Sequence, residues 1–554
     1  MSGGVDSIRR GTDGDAGVLS IGNGDDARAM NDDGLSQNIF QHTIGDILRR
    51  TARRYPDRPA ILCGDVAWSY AEFDRIANRL AHGLAARGIA LGDRVAVLSR
   101  NSHAFAAIRF ALARLGAVLV PVNFMLNAEE IGFILEASGA RALCVGPDFV
   151  ATGRIAAQGT KVEESFWLPG EDAATAPRDL VTFDQLLADN EEPPEVALDN
   201  RLLAQIVYTS GTESLPKGAM LTHEAILWEY VSCVIEAELT SRDRMLHALP
   251  LYHCAQLDVF LGPAIYVGMT NVITGQPKPE VILPLIAQHG ITAFFAPPSV
   301  WIALLRSPLF DSTDLSSLRK GYYGASIMPV EVMREMSRRL PQTRLWNLYG
   351  QTEIAPLATM LGPNEQLSKP GSAGKPVLNV ETRVVDDDMN DVAPGTVGEI
   401  VHRSPQLMTG YFNDPEKTAA AFAGGWFHSG DLATVDPDGN ISVVDRKKDM
   451  IKTGGENVAS REVEETLYTL DGVSEVAVIG LPDPYWIEAI TAIIVPKDGH
   501  RLDEAQVIAH CRAAMAHFKV PKRVIFAQSL PKNPSGKLLK RDLRQLYAKA
   551  TAAE

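Results

Sequence analysis

The sequence predicts an α/β fold, layered around largely parallel sheets, with a smaller separate unit at its C-terminal end. Short apolar runs alternate with segments of helical spacing through most of the chain, which is the pattern of strand-helix-strand units. At 554 residues the chain is too long for one hydrophobic core and suggests roughly three to four domain-sized units. A charged pentad, Asp445-Arg446-Lys447-Lys448-Asp449, divides a turn-rich strand pair around Asp436-Pro437-Asp438-Gly439-Asn440 from a short unit with its own strand and helices.

Residues 1–40 are rich in Gly, Asp, Ser and Asn and lack hydrophobic periodicity. They bury too little to offset the entropy of ordering them and are expected to be a disordered extension. Trp68-Ser69-Tyr70 then opens a helix in which Phe73, Ile76, Leu80 and Leu84 fall at helical spacing, and Arg94 to Leu98 reads as a buried strand. Ala104 to Leu115 predicts the next helix, and Ala117 to Val122 the next strand. Beyond the charged pentad, a helix is expected near Arg461 to Leu470, a strand at Val473 to Leu481, and a terminal helical region. No short-period repeat is visible.

The net charge of -15 argues against a nucleic-acid partner, because binding a phosphate backbone needs a basic face. Five dispersed cysteines without a C-x-x-C pair indicate neither a disulfide framework nor a zinc site, and fit a reducing, cytoplasmic setting. The most apolar long window, Ala104 to Val122, is interrupted by Arg109 and Arg114, so no transmembrane segment is expected. Peripheral contact with a membrane surface and a homodimer are left open.

The densest chemical signal is Tyr208-Thr209-Ser210-Gly211-Thr212-Glu213-Ser214-Leu215-Pro216-Lys217-Gly218, which follows the mainly apolar run Leu202 to Val207. Glycine lets backbone N–H groups turn toward an anion, hydroxyls add donors, and Lys217 supplies a point charge for phosphate oxygens. The usual P-loop requires Ser or Thr after its lysine and then a helix, whereas Lys217-Gly218 runs into Ala219-Met220-Leu221. Taken alone, the run also fits a solvated loop.

Four further motifs follow in order: Asn347-Leu348-Tyr349-Gly350-Gln351-Thr352-Glu353; Trp426-Phe427-His428-Ser429-Gly430-Asp431; Arg446-Lys447-Lys448 with Gly454-Gly455-Glu456-Asn457; and Asn533-Pro534-Ser535-Gly536-Lys537. The set resembles the adenylate-forming superfamily of acyl-CoA and aryl-CoA synthetases, peptide-synthetase adenylation domains and beetle luciferase, over about Ile44 to Leu546. The resemblance implies a large N-terminal adenylation domain over 41–445, a hinge at 446–450, a small mobile α+β lid over 451–546 and a tail at 547–554. It also implies the cofactors ATP, Mg²⁺ and CoA.

A carboxylic acid does not react with a thiol at neutral pH, because its leaving group would be oxide, so the acid is first joined to the α-phosphate of ATP with loss of pyrophosphate. By resemblance, Thr209, Ser210, Gly211, Thr212 and Lys217 wrap the β- and γ-phosphates. Glu213 and Ser214 depart from the family's usual residues in that loop, and a carboxylate there is unfavourable beside phosphates unless it points to solvent or joins the magnesium shell. Glu353 and Thr209 are the implied magnesium ligands. Thr352 is placed at the α-phosphate, Tyr349 against adenine, and Asn347, Gly350 and Gln351 among the nucleotide contacts. Gly324-Ala325-Ser326 looks like the adenine wall, where missing side-chain bulk admits a flat base.

Asp431 fits a ribose ligand assisted by Arg446. Lys537 is implied to bring an ammonium to the reacting carboxylate and α-phosphate. The family's pivot falls at Lys448, and rotation about it would exchange Lys537 for the face carrying Lys452, Gly454, Gly455 and Glu456, with the glycines admitting pantetheine.

His253, in Pro250-Leu251-Tyr252-His253-Cys254, is a candidate for orienting the substrate carboxylate, with a packed core histidine as the alternative. Leu257, Val259, Phe260, Leu261 and Trp301 are expected to make the acyl pocket apolar, and Asp258 interrupts them as a possible ammonium partner. The implied function is ligation of a carboxylic acid, a medium- or long-chain fatty acid before an aryl acid, to CoA. An acyl-AMP ligase loading a carrier protein, a luciferase-type oxygenase and a non-catalytic acyl-binding protein are the other readings.

Overall fold

The computed structural model describes residues 41–209, 216–325, 328–447, 449–454, 456–497, 499–532 and 538–551. The expected disordered extension therefore lies outside the described residues. So do Ser210, Gly211, Thr212, Glu213, Ser214, Ser326, Lys448, Gly455 and Lys537.

Local chemistry explains where the first helices begin and end. Ser69 caps the helix Tyr70–Ala86: its hydroxyl accepts from the Glu72 N–H at 3.2 Å, and the Glu72 carboxylate accepts from the Ser69 N–H at 2.7 Å. Such a reciprocal cap is worth about 1 kcal/mol. Phe73, Leu80 and Leu84 are buried as their spacing predicts. The next helix, His103–Leu115, starts on Ser102 and stops at Gly116, whose φ of 68° a side chain would resist. Every residue of this helix is buried, including the two arginines. Arg109 pairs with Asp258, and Arg114 with Asp74 and Asn78. Burying a charge is tolerable only with such partners.

Among the described residues four sheets form. One has nine strands, and its central run from Arg344–Gly350 through Lys320–Gly324, Ala293–Phe295, Arg244–His247 and Thr270–Ile273 to Pro59–Cys63 is parallel. A second has eight strands, parallel from Val181–Thr182 through Arg94–Leu98 to Leu203–Thr209. It ends in an antiparallel hairpin, Leu203–Thr209 with Lys217–Thr222, to which Gly410–Tyr411 adds an edge.

The expectation of largely parallel sheets holds for these two and fails further on. Glu381–Val385, Gly398–Arg403, Phe427–Val435 and Ile441–Arg446 form a four-stranded antiparallel sheet. The turn Asp436-Pro437-Asp438-Gly439-Asn440 returns the last strand directly beside its predecessor, and the longer connection over 404–426, which carries the helix Pro415–Ala421, also leads into an antiparallel neighbour.

The small C-terminal domain is built on a five-stranded sheet dominated by the pair Val473–Asp483 and Ile487–Pro496. The helix Ser460–Tyr468 and the strand from Val473 fall close to the sequence expectations. Asp445 fastens this domain to the end of the antiparallel sheet, accepting from the Ser460 N–H at 2.7 Å and its hydroxyl at 2.6 Å, while Arg461 donates to the Val443 carbonyl at 2.9 Å. Among the described residues no helix is long and apolar enough to cross a membrane. The five cysteines are free and buried.

Candidate active site

Two strand ends and a short turn place the first group of candidate side chains. Thr209 and Lys217 face one another as the last pair of the hairpin, and the Thr209 hydroxyl donates to the Lys217 carbonyl at 3.5 Å. The Lys217 ammonium stands 5.1 Å from the centre of the Tyr411 ring, a cation-π separation. On the other side of that phenol, the Tyr411 hydroxyl donates to the Glu353 carboxylate at 2.9 Å.

Gly410 delivers Tyr411 to this place. Its φ is 149°, and a Cβ there would stand 2.7 Å from the Thr418 methyl, closer than carbon atoms approach. Burial, and then the Glu353 carboxylate, push the Tyr411 hydroxyl well above its ordinary pKa, so the phenol stays a donor. Glu353 is half-buried on the three-residue turn Thr352–Ile354, beside a lysine and a phenol. It is a hard oxygen donor of the kind Mg²⁺ takes when phosphates and water complete its shell. Thr352 touches the Cys254 sulfur at 3.3 Å. Burial raises that thiol far out of its reactive range, which removes Cys254 as a nucleophile.

The second group converges on one carboxylate. Asp431 is 3% exposed and lies opposite Arg446 across an antiparallel pair. It accepts from the Tyr349 hydroxyl at 2.7 Å and the Gln351 amide at 2.8 Å, and forms an ion pair with Arg446 at 2.5 Å. Gln351 also donates to the Ser429 carbonyl at 2.9 Å. Burial alone would lower the Arg446 pKa, but Asp431, Tyr349 and Glu353 outweigh it and hold the guanidinium above its usual value. Three motifs separated along the chain thus share one hydrogen-bonded cluster. Tyr349 joins it through its hydroxyl, a contact that the expectation of adenine stacking did not contain.

Several candidates turn out to have local structural duties. Asn347 is buried, and its amide donates to the Ser372 carbonyl at 2.7 Å. A Cβ on Gly324 would stand 2.5 Å from the Leu348 carbonyl oxygen, and one on Gly350 would stand 1.7 Å from that of Pro356. Both glycines are therefore required by neighbouring backbone, whatever flat ligand approaches them. Ala325 is exposed with a φ of 65°. His253 caps the short helix Cys254–Gln256, its Nδ1 accepting from the Ala255 N–H at 3.1 Å.

The expectation of an ammonium partner at Asp258 is overturned, and the apolar residues around it are found buried. Asp258 is fully buried, paired with Arg109 at 2.5 Å and accepting from the Gln205 amide at 2.7 Å, so it is already neutralised and does not await a substrate ammonium. Trp301 belongs to a core cluster, packing on Phe294 and donating its indole N–H to the Tyr322 carbonyl at 3.1 Å. Val259 and Phe260 join another core cluster with Phe295, and Leu257 and Leu261 a third. A turn of π-helix, Leu257–Leu261, directs these apolar residues into the protein.

On the small domain, Lys452 and Glu456 are exposed. Gly454 turns with a φ of 58° under the Trp486 ring, and its N–H donates to the Trp486 carbonyl at 2.8 Å. Tyr411 is the residue that sequence reasoning missed. The chain around it carries only a Gly-Tyr step, and strand pairing with Lys217–Thr222 is what brings it between Lys217 and Glu353.

Comparison with known proteins shows which family the chain resembles. Residues 48–412 match the profile described as AMP-binding enzyme, and residues 462–537 match that of the AMP-binding enzyme C-terminal domain. A feruloyl-CoA synthase from an Amycolatopsis species is 39% identical over 499 residues, covering 90% of this chain and 98% of the relative. A long-chain-fatty-acid–CoA ligase of Mycobacterium tuberculosis is 36% identical over 512 residues, covering 91% and 98%. Among solved structures, ATP-bound MatB from Rhodopseudomonas palustris superposes with a TM-score of 0.83 at 30% identity, covering 92% of this chain and all of the other.

Proposed function

The chain belongs to the AMP-binding enzyme family, and from that premise we propose that it activates an aromatic carboxylic acid with ATP and passes the acyl group to CoA. The coarser statement is established: this is an AMP-forming CoA ligase that uses ATP, Mg²⁺ and CoA. The choice of an aromatic acid is supported by the 39% identity to feruloyl-CoA synthase over 98% of that protein. The fatty-acid reading rests on the 36% identity to the long-chain ligase. The apolar run that favoured a fatty acid in the sequence is buried in core clusters and gives it no support.

The observation that carries the site assignment is the meeting of Lys217, Tyr411 and Glu353 on one side and of Tyr349, Gln351, Asp431 and Arg446 on the other. In this reading Lys217 and Thr209 meet the outer phosphates, Glu353 would hold the Mg²⁺ that neutralises them, and Thr352 faces the α-phosphate. Asp431 accepts from the ribose hydroxyls, with Arg446 setting its orientation. The attacking oxygen is the substrate carboxylate, and pyrophosphate leaves with the electron pair of the broken P–O bond. Lys537 supports the charge that develops there.

The small domain then turns about Lys448 so that the Gly454-Gly455 face admits the thiol, which displaces AMP from the acyl-adenylate. Asp445, three residues before that pivot, accepts from Ser460 of the small domain, and the swivel would have to release these contacts.

The test is a panel of cinnamic, benzoic and C8 to C18 fatty acids assayed for pyrophosphate release with and without CoA. An aromatic acid is expected to give the highest kcat/KM and a CoA thioester product. A fatty acid in first place would overturn the choice of acid. Acyl-AMP that turns over only with a carrier protein would overturn the acceptor.

A further inference from the structure

The turn carrying Glu353 is held from behind by two fully buried side chains that touch neither Glu353's carboxylate nor the Asp431 cluster. Gln406 donates through its amide nitrogen to the Ile354 carbonyl at 3.3 Å and the Leu357 carbonyl at 3.0 Å, spanning both ends of the segment. Its own orientation is fixed by the Ser232 hydroxyl, which donates to Gln406 Oε1 at 2.6 Å. From the helix His223–Glu236, Glu229 accepts the Leu357 N–H at 3.1 Å.

The segment needs such support. Thr352–Ile354 is a single turn, and Ala355 follows it with a φ of 72°. A left-handed residue other than glycine persists only where its surroundings over-determine it. Gln406, Ser232 and Glu229 are all at 0% exposure, so the restraint is not diluted by water. Glu229 is also held well above the usual carboxylate range, chiefly by burial and then by the Asp258 charge. It therefore serves as a neutral acceptor and adds no second charge to compete for a cation.

We propose that Gln406 and Glu229 are positioning residues for the first half-reaction: they set where the Glu353 carboxylate stands and thereby the Mg²⁺ requirement of adenylate formation. The proposal rests on the reading of Glu353 as the magnesium ligand. It separates the two half-reactions, because thioester formation from ready-made acyl-AMP needs no cation on pyrophosphate.

Gln406→Met removes both donors at nearly constant length. Calorimetric titration of Mg²⁺ into the variant holding a non-hydrolysable ATP analogue is expected to show affinity weakened about tenfold, the lower end of what outer supports of a ligand usually contribute. Thioester formation from synthetic acyl-AMP in chelator should stay within about twofold of the parent. Glu229→Leu should act in the same direction, and Glu229→Gln, which keeps an acceptor for Leu357, should restore the parent behaviour. If Gln406→Met does not fold, Ser232→Ala reads the same axis with a smaller shift.

Equal loss in both half-reactions would reduce Gln406 to a general structural residue, and an unchanged Mg²⁺ affinity would likewise overturn the proposal. Glu353→Gln is the control. If it leaves the Mg²⁺ affinity intact, the assignment of Glu353 has failed as well. If it weakens Mg²⁺ while Gln406→Met does not, only this proposal is lost.

Discussion

The protein builds the same quartet of side chains twice. Asp431 is held by an arginine, a tyrosine hydroxyl and a glutamine amide: Arg446, Tyr349 and Gln351. Asp258 is held by Arg109, Tyr230 and Gln205. The chemistry is alike and the surroundings differ. The Arg109 side chain is 3% exposed, whereas that of Arg446 is 33% exposed. The sealed quartet ties two helices, a strand and the π-helical turn together in the interior. The other is open at the Arg446 guanidinium. Residue type names what a cluster is able to bind, and access decides whether it binds anything.

The sharpest way to break this comparison is to strip the arginine from the sealed site. Arg109→Met would strand the Asp258 carboxylate away from water, and a lone buried charge costs about 3–5 kcal/mol. Denaturant unfolding should show that loss, while the fraction that remains folded binds ATP normally.

Next is the pH response of Glu229, which lies beside the sealed quartet and is raised by burial, then by Asp258, against the pull of Arg109 and the Leu357 N–H. In the unfolded chain it ionises near 4.5, and in the native protein it stays protonated well above that. Its contribution is therefore complete below the unfolded pKa and is lost as pH climbs toward the folded one. Relative to the parent, Glu229→Gln should gain stability steadily as pH rises above the unfolded value of 4.5. A flat difference between the two melting curves would contradict the assignment.

The open quartet should respond in binding rather than in stability. Asp431→Asn is expected to lose about 2 kcal/mol of ATP affinity, roughly thirtyfold in Kd, with little change in Tm. The finest discrimination comes from removing single hydroxyls. Tyr349→Phe should weaken ATP binding by a few-fold, and Tyr230→Phe should cost about 1 kcal/mol of stability with no effect on ATP. A result with the two roles exchanged would invert the comparison.

The same contrast explains what could be read from the sequence. Asp431, Arg446, Tyr349 and Gln351 stand in recognisable short motifs, and their order along the chain singled them out as candidates before any contact was known. The partners of Asp258 carry no such mark. Gln205 and Arg109 are 96 residues apart, and Arg109 and Asp258 are 149 apart, so the aspartate looked available for an ammonium. Helices such as Tyr70–Ala86 were legible because cap and periodicity are local. The antiparallel sheet and the edge strand bearing Tyr411 were not, because they depend on which distant strands pair. The apolar run Leu257–Leu261 was ambiguous for a related reason: such a run looks the same in a pocket wall and in a core.

The buried cysteines have a practical consequence. Burial lifts the thiols of Cys63 and Cys144 to about 12 and that of Cys511 to about 11, and it raises those of Cys233 and Cys254 as well. At neutral pH these buried thiols carry almost no thiolate, so they do not attack the disulfide form of a sulfhydryl cosubstrate. It also gives a silent background for labelling. A pair of cysteines introduced at exposed positions, one before and one after the proposed pivot, would take up maleimide dyes selectively, and a change in energy transfer between them during a single turnover would test the proposed swivel.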